Sequence, residues 1–384
     1  MGYRTAELLT QIRQRQDRAV GLLRNLVELE SPSHDKAAVD RCMDLVQQVC
    51  AEMGGRVRRH RQKEFGDLLE ARFGRAHRNL KPVMLLGHLD TVWETGTLKK
   101  MPFRIEDGRV WGPGTFDMKA GVAMALTALE CLLATNSLDR PVVLLLVSDE
   151  EIGSKVSRPV TEKLARECEA VYVLEPAQGL AGAYKTARKG VGEYTIRVEG
   201  VAAHSGLDFE RGHSAIAELA HQMEVIQGFT ELSRGITVNV GTIQGGTRSN
   251  VIAAEAEAQV DVRVAKAADA GRVDRRFRRL RVRDRGCVLK VEGGLNRPPM
   301  ERTRGTVTLF RRAATLAQAM GFDLQEASTG GGSDGNFTSA LGIPTLDGMG
   351  AVGEGAHAVH ESVVLNELAP RTALLAAMLL KPEG

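Results

Sequence analysis

Six apolar residues in a row, Val142-Val143-Leu144-Leu145-Leu146-Val147, are followed at once by Ser148-Asp149-Glu150-Glu151. A run this short, rich in Val and Leu, reads as a strand of a parallel sheet buried on both faces. Two adjacent carboxylates at the mouth of such a strand conflict with a packed core unless they have partners. A metal ion on one carboxylate and a water on its neighbour would resolve the conflict.

The surrounding chain has the period expected around such a sheet. Helical patterns over 8–29 and 35–53 are broken by Ser31-Pro32-Ser33 and ended by Gly54-Gly55. Strand-like runs follow at 68–73 and 83–86, then a helix over 120–134, the 142–147 strand, a helix over 157–167 and a strand at 170–174. Helices alternating with apolar strands predict an α/β fold with parallel strands. Beyond Arg188-Lys189-Gly190 the pattern changes. Alternating strands at 194–198, 236–243, 254–264 and 288–291, with helices over 214–226 and 272–283, give a β-α-β-β-α-β order. That order predicts an inserted, ferredoxin-like α+β domain. We expect one domain from 1–187 and 298–384, split around an insert at 188–297.

Charge and cysteine usage exclude several classes. Net charge is only +3 in 384 residues, so no bulk pull toward nucleic acid or membrane follows. The arginines of 272–285 accompany an apolar stripe, Val273, Phe277 and Leu280, and so read as a solvated helix face. Five scattered cysteines form no CxxC pair, which argues against a disulfide framework or a thiolate zinc site. No apolar run approaches the ~20 residues of a membrane span. The first residues run into a polar helical pattern without a signal-like stretch, so a cytoplasmic location is expected.

Other segments place metal-type ligands after apolar strands. His88 and Asp90 follow Val83-Met84-Leu85-Leu86-Gly87. Asp90 is placed to accept the second imidazole N–H and fix the tautomer, although a hydrogen-bonded turn histidine fits equally well. Asp117, in Gly114-Thr115-Phe116-Asp117-Met118-Lys119, taken alone suits an N-cap. Glu175 ends Leu174-Glu175-Pro176, and Gly353-Glu354-Gly355-Ala356-His357 comes late in the chain. The Gly112-Pro113-Gly114 glycines lack the spacing of a dinucleotide loop. Ligands of open α/β sheets gather at the carboxyl ends of strands. Two histidines and three carboxylates there suit a pair of Zn²⁺ ions, with Mn²⁺ or Co²⁺ also compatible.

Gly87-His88-Leu89-Asp90-Thr91-Val92, Gly114-x-x-Asp117-Met118-Lys119, Asp149-Glu150-Glu151-x-Gly153, Leu174-Glu175-Pro176 and Gly355-Ala356-His357 together resemble the M20 metallopeptidase family. The likeness is greatest to its glutamate carboxypeptidase (carboxypeptidase G2-like) branch. The resemblance implies two Zn²⁺ per subunit, one on His88 and Glu175, the other on Glu151 and His357. Asp117 would bridge them, with a cis peptide after it. Asp90 would orient His88, and Glu150 would be the general base. Glu175, where aminopeptidase branches usually carry Asp, leans toward carboxypeptidases and acyl-amino-acid hydrolases.

Within the insert, Gly200-Val201-Ala202-Ala203-His204-Ser205-Gly206 resembles the family's lid histidine motif, which implies oxyanion stabilisation by His204 in a partner subunit's site. Asn250, in Ser249-Asn250-Val251-Ile252, and Arg263, in Asp261-Val262-Arg263, match substrate-binding lid segments, while pairing of Arg263 with Asp261 is the alternative. Gly331 and Gly332 lie in a glycine-rich loop that resembles a pocket wall. The family pattern is departed from at Ala358, where Ser or Thr is usual, and at His360. The function implied is amide hydrolysis releasing a C-terminal amino acid, glutamate foremost, from a small peptide or N-acyl-amino-acid substrate. An N-acyl-amino-acid deacylase or dipeptidase is the alternative, ahead of a non-catalytic binding protein. A homodimer through the insert is implied, with no nucleic-acid or membrane partner.

Overall fold

The computed structural model describes residues 2–74 and 80–382, which form two compact units. The first comprises Met1–Ala187, Arg302–Thr329 and Ser333–Gly384; the second, Arg188–Glu301 and Gly330–Gly332. Among the described residues no helix is long and apolar enough to cross a membrane.

The first unit is built on a six-stranded mixed sheet. Its order is Arg56–His60, Leu68–Phe73, Val142–Val147, Val83–His88, Ala170–Val173, Thr345–Leu346. The last four strands run parallel, and the first two pair antiparallel at one edge. Every residue of Val142–Val147 is buried. Val142, Leu144 and Leu146 enter the main core, while Val143, Leu145 and Val147 enter a second core on the opposite face. Helices therefore cover both faces, as an unbroken apolar run requires. The helix Ala120–Ala134 is apolar around almost its whole circumference and packs against the C-terminal helix Leu365–Met378, which is how an all-round apolar helix survives in water. The five cysteines, four here and Cys287 in the second unit, are all buried and unpaired.

The pattern over 8–29 resolves into two helices, Gly2–Arg13 and Gln16–Glu28, rather than one. The apolar stripe lapses between Ile12 and Ala19, where Arg13, Gln14, Arg15, Gln16, Asp17 and Arg18 have nothing to bury. The next helix, Lys36–Glu52, starts at Asp35, whose side chain accepts the Ala38 amide at 3.0 Å.

The second unit carries four antiparallel strands in the order Thr237–Gly245, Glu255–Val264, Gly190–Glu199, Val288–Arg297. With helices Ala215–Gln227 and Ala267–Arg278 it has the ferredoxin-like β-α-β-β-α-β order. Gly190–Glu199 alternates buried and partly or fully exposed residues, so only one face is packed. Phe277 stacks on Tyr194 at 3.9 Å between ring centroids and meets Phe229 edge-on at 5.2 Å. The 272–283 helix begins earlier, at Ala267, and ends at Arg278. Val273, Phe277 and Leu280 are buried, while Arg272 and Arg276 pair with Glu231. The last strand runs six residues past Val291, to Arg297: Gly293 and Gly294 interrupt the apolar alternation, but their backbone still pairs with Tyr194 and Glu193.

Candidate metal centre

Strand register brings the ligand-type residues together. Val83–His88 lies between Val142–Val147 and Ala170–Val173, with His88 opposite Val147 and Leu86 opposite Val173. The carboxyl ends of three adjacent parallel strands thus present His88, Glu150 with Glu151, and Glu175. Gly121, at the start of the buried helix, packs on the last of these segments. A Cβ there would sit 2.1 Å from the Leu174 carbonyl oxygen, so only glycine allows the approach.

Two groups of side chains result, His88–Asp117–Glu175 and Asp117–Glu151–His357, and in each the ligand atoms lie within 4.8 Å of one another. Asp117 is divided between them. Its Oδ1 is 3.3 Å from His88 Nε2, and its Oδ2 is 3.4 Å from His357 Nε2. His88 Nε2 is 3.7 Å from Glu175 Oε1, and His357 Nε2 is 3.2 Å from Glu151 Oε2. The Asp117–Met118 peptide is cis. His360 belongs to neither group.

The electrostatics are those of a cation site. Burial alone would lower the pKa of His88, yet hydrogen bonds to Asp117 and Asp90 hold it well above the ordinary range. Hydrogen bonds to Asp117 and Glu151 push His357 up to about 10. Burial pushes Glu151 up, against the pull of His357. Burial works the same way on Asp117, but the two imidazoles outweigh it and hold that carboxyl below its usual value. Glu151 Oε1 is buried without a hydrogen-bond partner. An orphaned carboxylate oxygen beside imidazole and carboxylate donors fits a pair of borderline cations such as zinc.

Asp90 is arranged differently from the simple expectation. His88 Nδ1 lies 2.9 Å from the Asp90 backbone carbonyl and 3.5 Å from its carboxylate. The carboxylate accepts the Ser33 hydroxyl at 2.7 Å and the amides of Glu150 and Glu151 at 3.2 and 3.1 Å. It therefore ties the His88 turn to the Glu150–Glu151 turn. By sequence alone, Ser33 reads only as part of a helix break. Glu361 is a further residue of the site: its buried carboxylate accepts four N–H groups around Asp117, and burial pushes it up to about 7. Lys119, 1% exposed, donates to the Leu26 carbonyl at 2.8 Å. A lysine directly before a long apolar helix was the available signal for that burial.

The remaining site candidates lie in the second unit. His204 is exposed, and its Nδ1 accepts the amides of Gly206 and Leu207 at 3.1 and 3.2 Å. Arg263 pairs with Asp261, Nε to Oδ1 at 2.9 Å and Nη2 to Oδ2 at 2.8 Å. Asn250 is exposed, and its backbone carbonyl accepts the Ser205 amide at 3.0 Å. The carbonyls of Gly331 and Gly332 accept from Arg188 at 3.3 and 3.1 Å.

A paired imidazole–carboxylate centre thus lies at the carboxyl ends of parallel strands in the first unit, and the second unit has the ferredoxin-like order. Residues 84–381 match Peptidase family M20/M25/M40, and the chain belongs to that family. Carboxypeptidase G2 of Pseudomonas sp. (strain RS-16) is 26% identical over 96% of this chain and 90% of its own length. The succinyl-diaminopimelate desuccinylase of Aromatoleum aromaticum is 30% identical over 89% of this chain and 92% of its own. The crystal structure of the Bacillus subtilis YXEP protein, described as a dinuclear metal binding peptidase from the M20 family, superposes with a TM-score of 0.67 at 15% identity, covering 96% of this chain and 98% of that one.

Proposed function

We propose that the chain is a dinuclear zinc hydrolase that cleaves an amide bond to release a C-terminal amino acid, with glutamate as the residue released. The observation that carries this reading is the division of Asp117, one oxygen toward each imidazole. His88 and Glu175 would hold one cation, Glu151 and His357 the other, and Asp117 both. Two imidazoles in the donor set favour Zn²⁺ over Mn²⁺ or Co²⁺. When bound, such a pair polarises a scissile carbonyl and lowers the pKa of a water.

The chain's own groups supply the proton traffic and the positioning. Glu150 is buried, and its amide is held by Asp90. Its carboxylate takes a proton from water as the C–O bond forms, then delivers it to the amine nitrogen as the C–N bond breaks. Asp90 holds the His88 ring and the Glu150–Glu151 turn in one frame. His204 accepts at Nδ1, so its proton sits on Nε2, a donor suited to a developing oxyanion in a partner copy. The Arg263 fork that holds Asp261 has the geometry to take a substrate carboxylate. Asn250, Gly331 and Gly332 would line that subsite.

In this reading 1–187 and 298–384 are the catalytic domain, and 188–297 is a lid and dimerisation domain. Exposed Leu207, Phe209, Ile216 and Ile243 support a homodimer through the second unit. Five unpaired thiols suit a reducing, cytoplasmic setting. The likeness to a desuccinylase supports a second reading, N-acyl-amino-acid deacylation by the same groups.

The test is amide hydrolysis by zinc-loaded protein across N-acyl amino acids and dipeptides. Release of glutamate, lowered by roughly 10²–10⁴ in kcat in Glu150→Ala, supports the carboxypeptidase reading. Preference for neutral residues moves it to the deacylase. No turnover with two cations bound refutes both.

A further inference from the structure

Glu361 lies four residues beyond His357 and belongs to neither ligand group. Its side chain is nevertheless heavily engaged beside the centre. Oε2 accepts the Trp93 indole at 2.7 Å and the Gly114 amide at 2.9 Å. Oε1 accepts the amides of Phe116 at 2.9 Å and Asp117 at 3.0 Å. Two donors on each oxygen leave the carboxylate well satisfied, and such charge-assisted bonds are the strong ones. The donors come from separate pieces of chain. Trp93 lies on the segment leaving the Val83–His88 strand, and Gly114, Phe116 and Asp117 form the turn that carries the shared carboxylate. Glu361 itself shares a short segment with His357, between Gly353–Glu354 and Ser362–Val364. One side chain therefore joins three ligand-bearing segments far apart in sequence.

We propose that Glu361 is a positioning residue for Asp117, holding the shared carboxylate in register with His357 and so setting the affinity of the Asp117–Glu151–His357 group for its cation. The inference rests on the metal-centre reading above. The two groups depend on Glu361 unequally. His88 ends, and Glu175 follows, a strand buried in the sheet and set by its register. Asp117 sits at the kink of the short turn Thr115–Lys119 and His357 in a loop, and His357 adopts a left-handed backbone at φ +62° that its surroundings must enforce. Loss of the Glu361 contacts weakens the hold on Asp117 and His357 in one group, whereas in the other His88 and the segment of Glu175 keep the support of the sheet.

The experiment titrates metal-free protein with Zn²⁺ by calorimetry and with Co²⁺ by visible absorption, alongside thermal melts. Glu361→Gln keeps the size but offers a single oxygen, so an NH₂ group faces two of the four donors. The expected result is two cations in wild type. In Glu361→Gln one step is nearly unchanged and the other is weakened about 10–100-fold, the usual cost of losing a partner behind a ligand. Trp93→Phe removes one donor only and should give a smaller loss at the same step, which keeps the test open if Glu361→Gln folds poorly. Arg371→Met is the comparison for general destabilisation. Arg371 holds the Gly182 and Ala181 carbonyls and no ligand residue, so its loss should lower the melting temperature with both steps intact. Both steps unchanged in Glu361→Gln and Trp93→Phe, or both weakened equally in step with the melting temperature, would overturn the proposal. Fewer than two cations in wild type would overturn the metal-centre reading itself.

Discussion

Replacing Gly121 by alanine tests how the helix start holds the Glu175 segment. The new Cβ would lie 2.1 Å from the Leu174 carbonyl oxygen, 3.1 Å from its carbon and 3.3 Å from the Leu174 Cβ. Ordinary contact begins near 3.4 Å, so the oxygen and the helix must separate by 3.4 − 2.1 = 1.3 Å. Leu174 has little freedom to yield. Its amide donates to the Leu86 carbonyl at 2.9 Å, and the Glu175 carbonyl accepts the Gly350 amide at 2.9 Å. Overpacking costs about 1–3 kcal/mol. A clash with backbone places this case at about 3 kcal/mol, and the helix-propensity gain of alanine offsets about 1 kcal/mol. The net loss is about 2 kcal/mol, and a displacement of that size near Glu175 should also weaken cation binding. Gly21, in the helix Gln16–Glu28, is the internal control, because nothing lies within 4 Å of a Cβ built there. Gly21→Ala should stabilise by about 0.5–1 kcal/mol. Urea denaturation of both variants, with and without zinc, reads the two signs. If Gly121→Ala were as stable as wild type, the close approach to Leu174 would not constrain the centre.

Three further outcomes follow from the same structure. Burial opposes ionisation of Asp67, yet hydrogen bonds from Lys36, the Gln62 amide and Arg61 hold its pKa below the ordinary value. Its contribution is therefore present above a pH of about 4 and lost as pH falls through the lower folded value. Asp67→Asn should lower stability at neutral pH by about 1 kcal/mol, discounted because Lys36 and Arg61 reach solvent, and should flatten the acid limb of stability against pH; an unchanged acid limb refutes the linkage. Chelation should abolish hydrolysis and lower the melting temperature, and zinc at about 100 times its Kd should restore about 2.7 kcal/mol, which equal melts with and without chelator would contradict. His204→Ala should lower kcat by roughly 10²–10³ with cation content unchanged; a loss of bound cation would instead make His204 a ligand-supporting residue.

Much of the first unit's layout could be anticipated because its elements announce themselves over short distances. The 142–147 strand is an unbroken apolar run, the 120–134 helix is interrupted only by Thr127 and Glu130, and the carboxylates stand directly after the strands that place them. Where the apolar signal lapses, as between Ile12 and Ala19, local periodicity cannot distinguish one helix from two. The partners of Asp90 and Glu361 were hidden for a different reason. Glu361 meets Gly114 across 247 residues, and Ser33 meets Asp90 across 57. Such bonds depend on how distant segments pack, and neither spacing nor composition encodes them. The Arg263–Asp261 pair, by contrast, spans two residues on one strand face and could be weighed in advance.

The buried thiols have a practical consequence. Burial pushes Cys50 and Cys168 up to about 12 and raises Cys131 and Cys287 as well, so these groups stay protonated and shielded at neutral pH. A thiol reagent can reach them only when the surrounding structure opens. Cys42, Cys50, Cys131 and Cys168 belong to the first unit and Cys287 alone to the second. Alkylation followed by peptide mass analysis would thus time the opening of each unit separately in the unmodified protein, with Cys287 as the only cysteine clock of the ferredoxin-like unit.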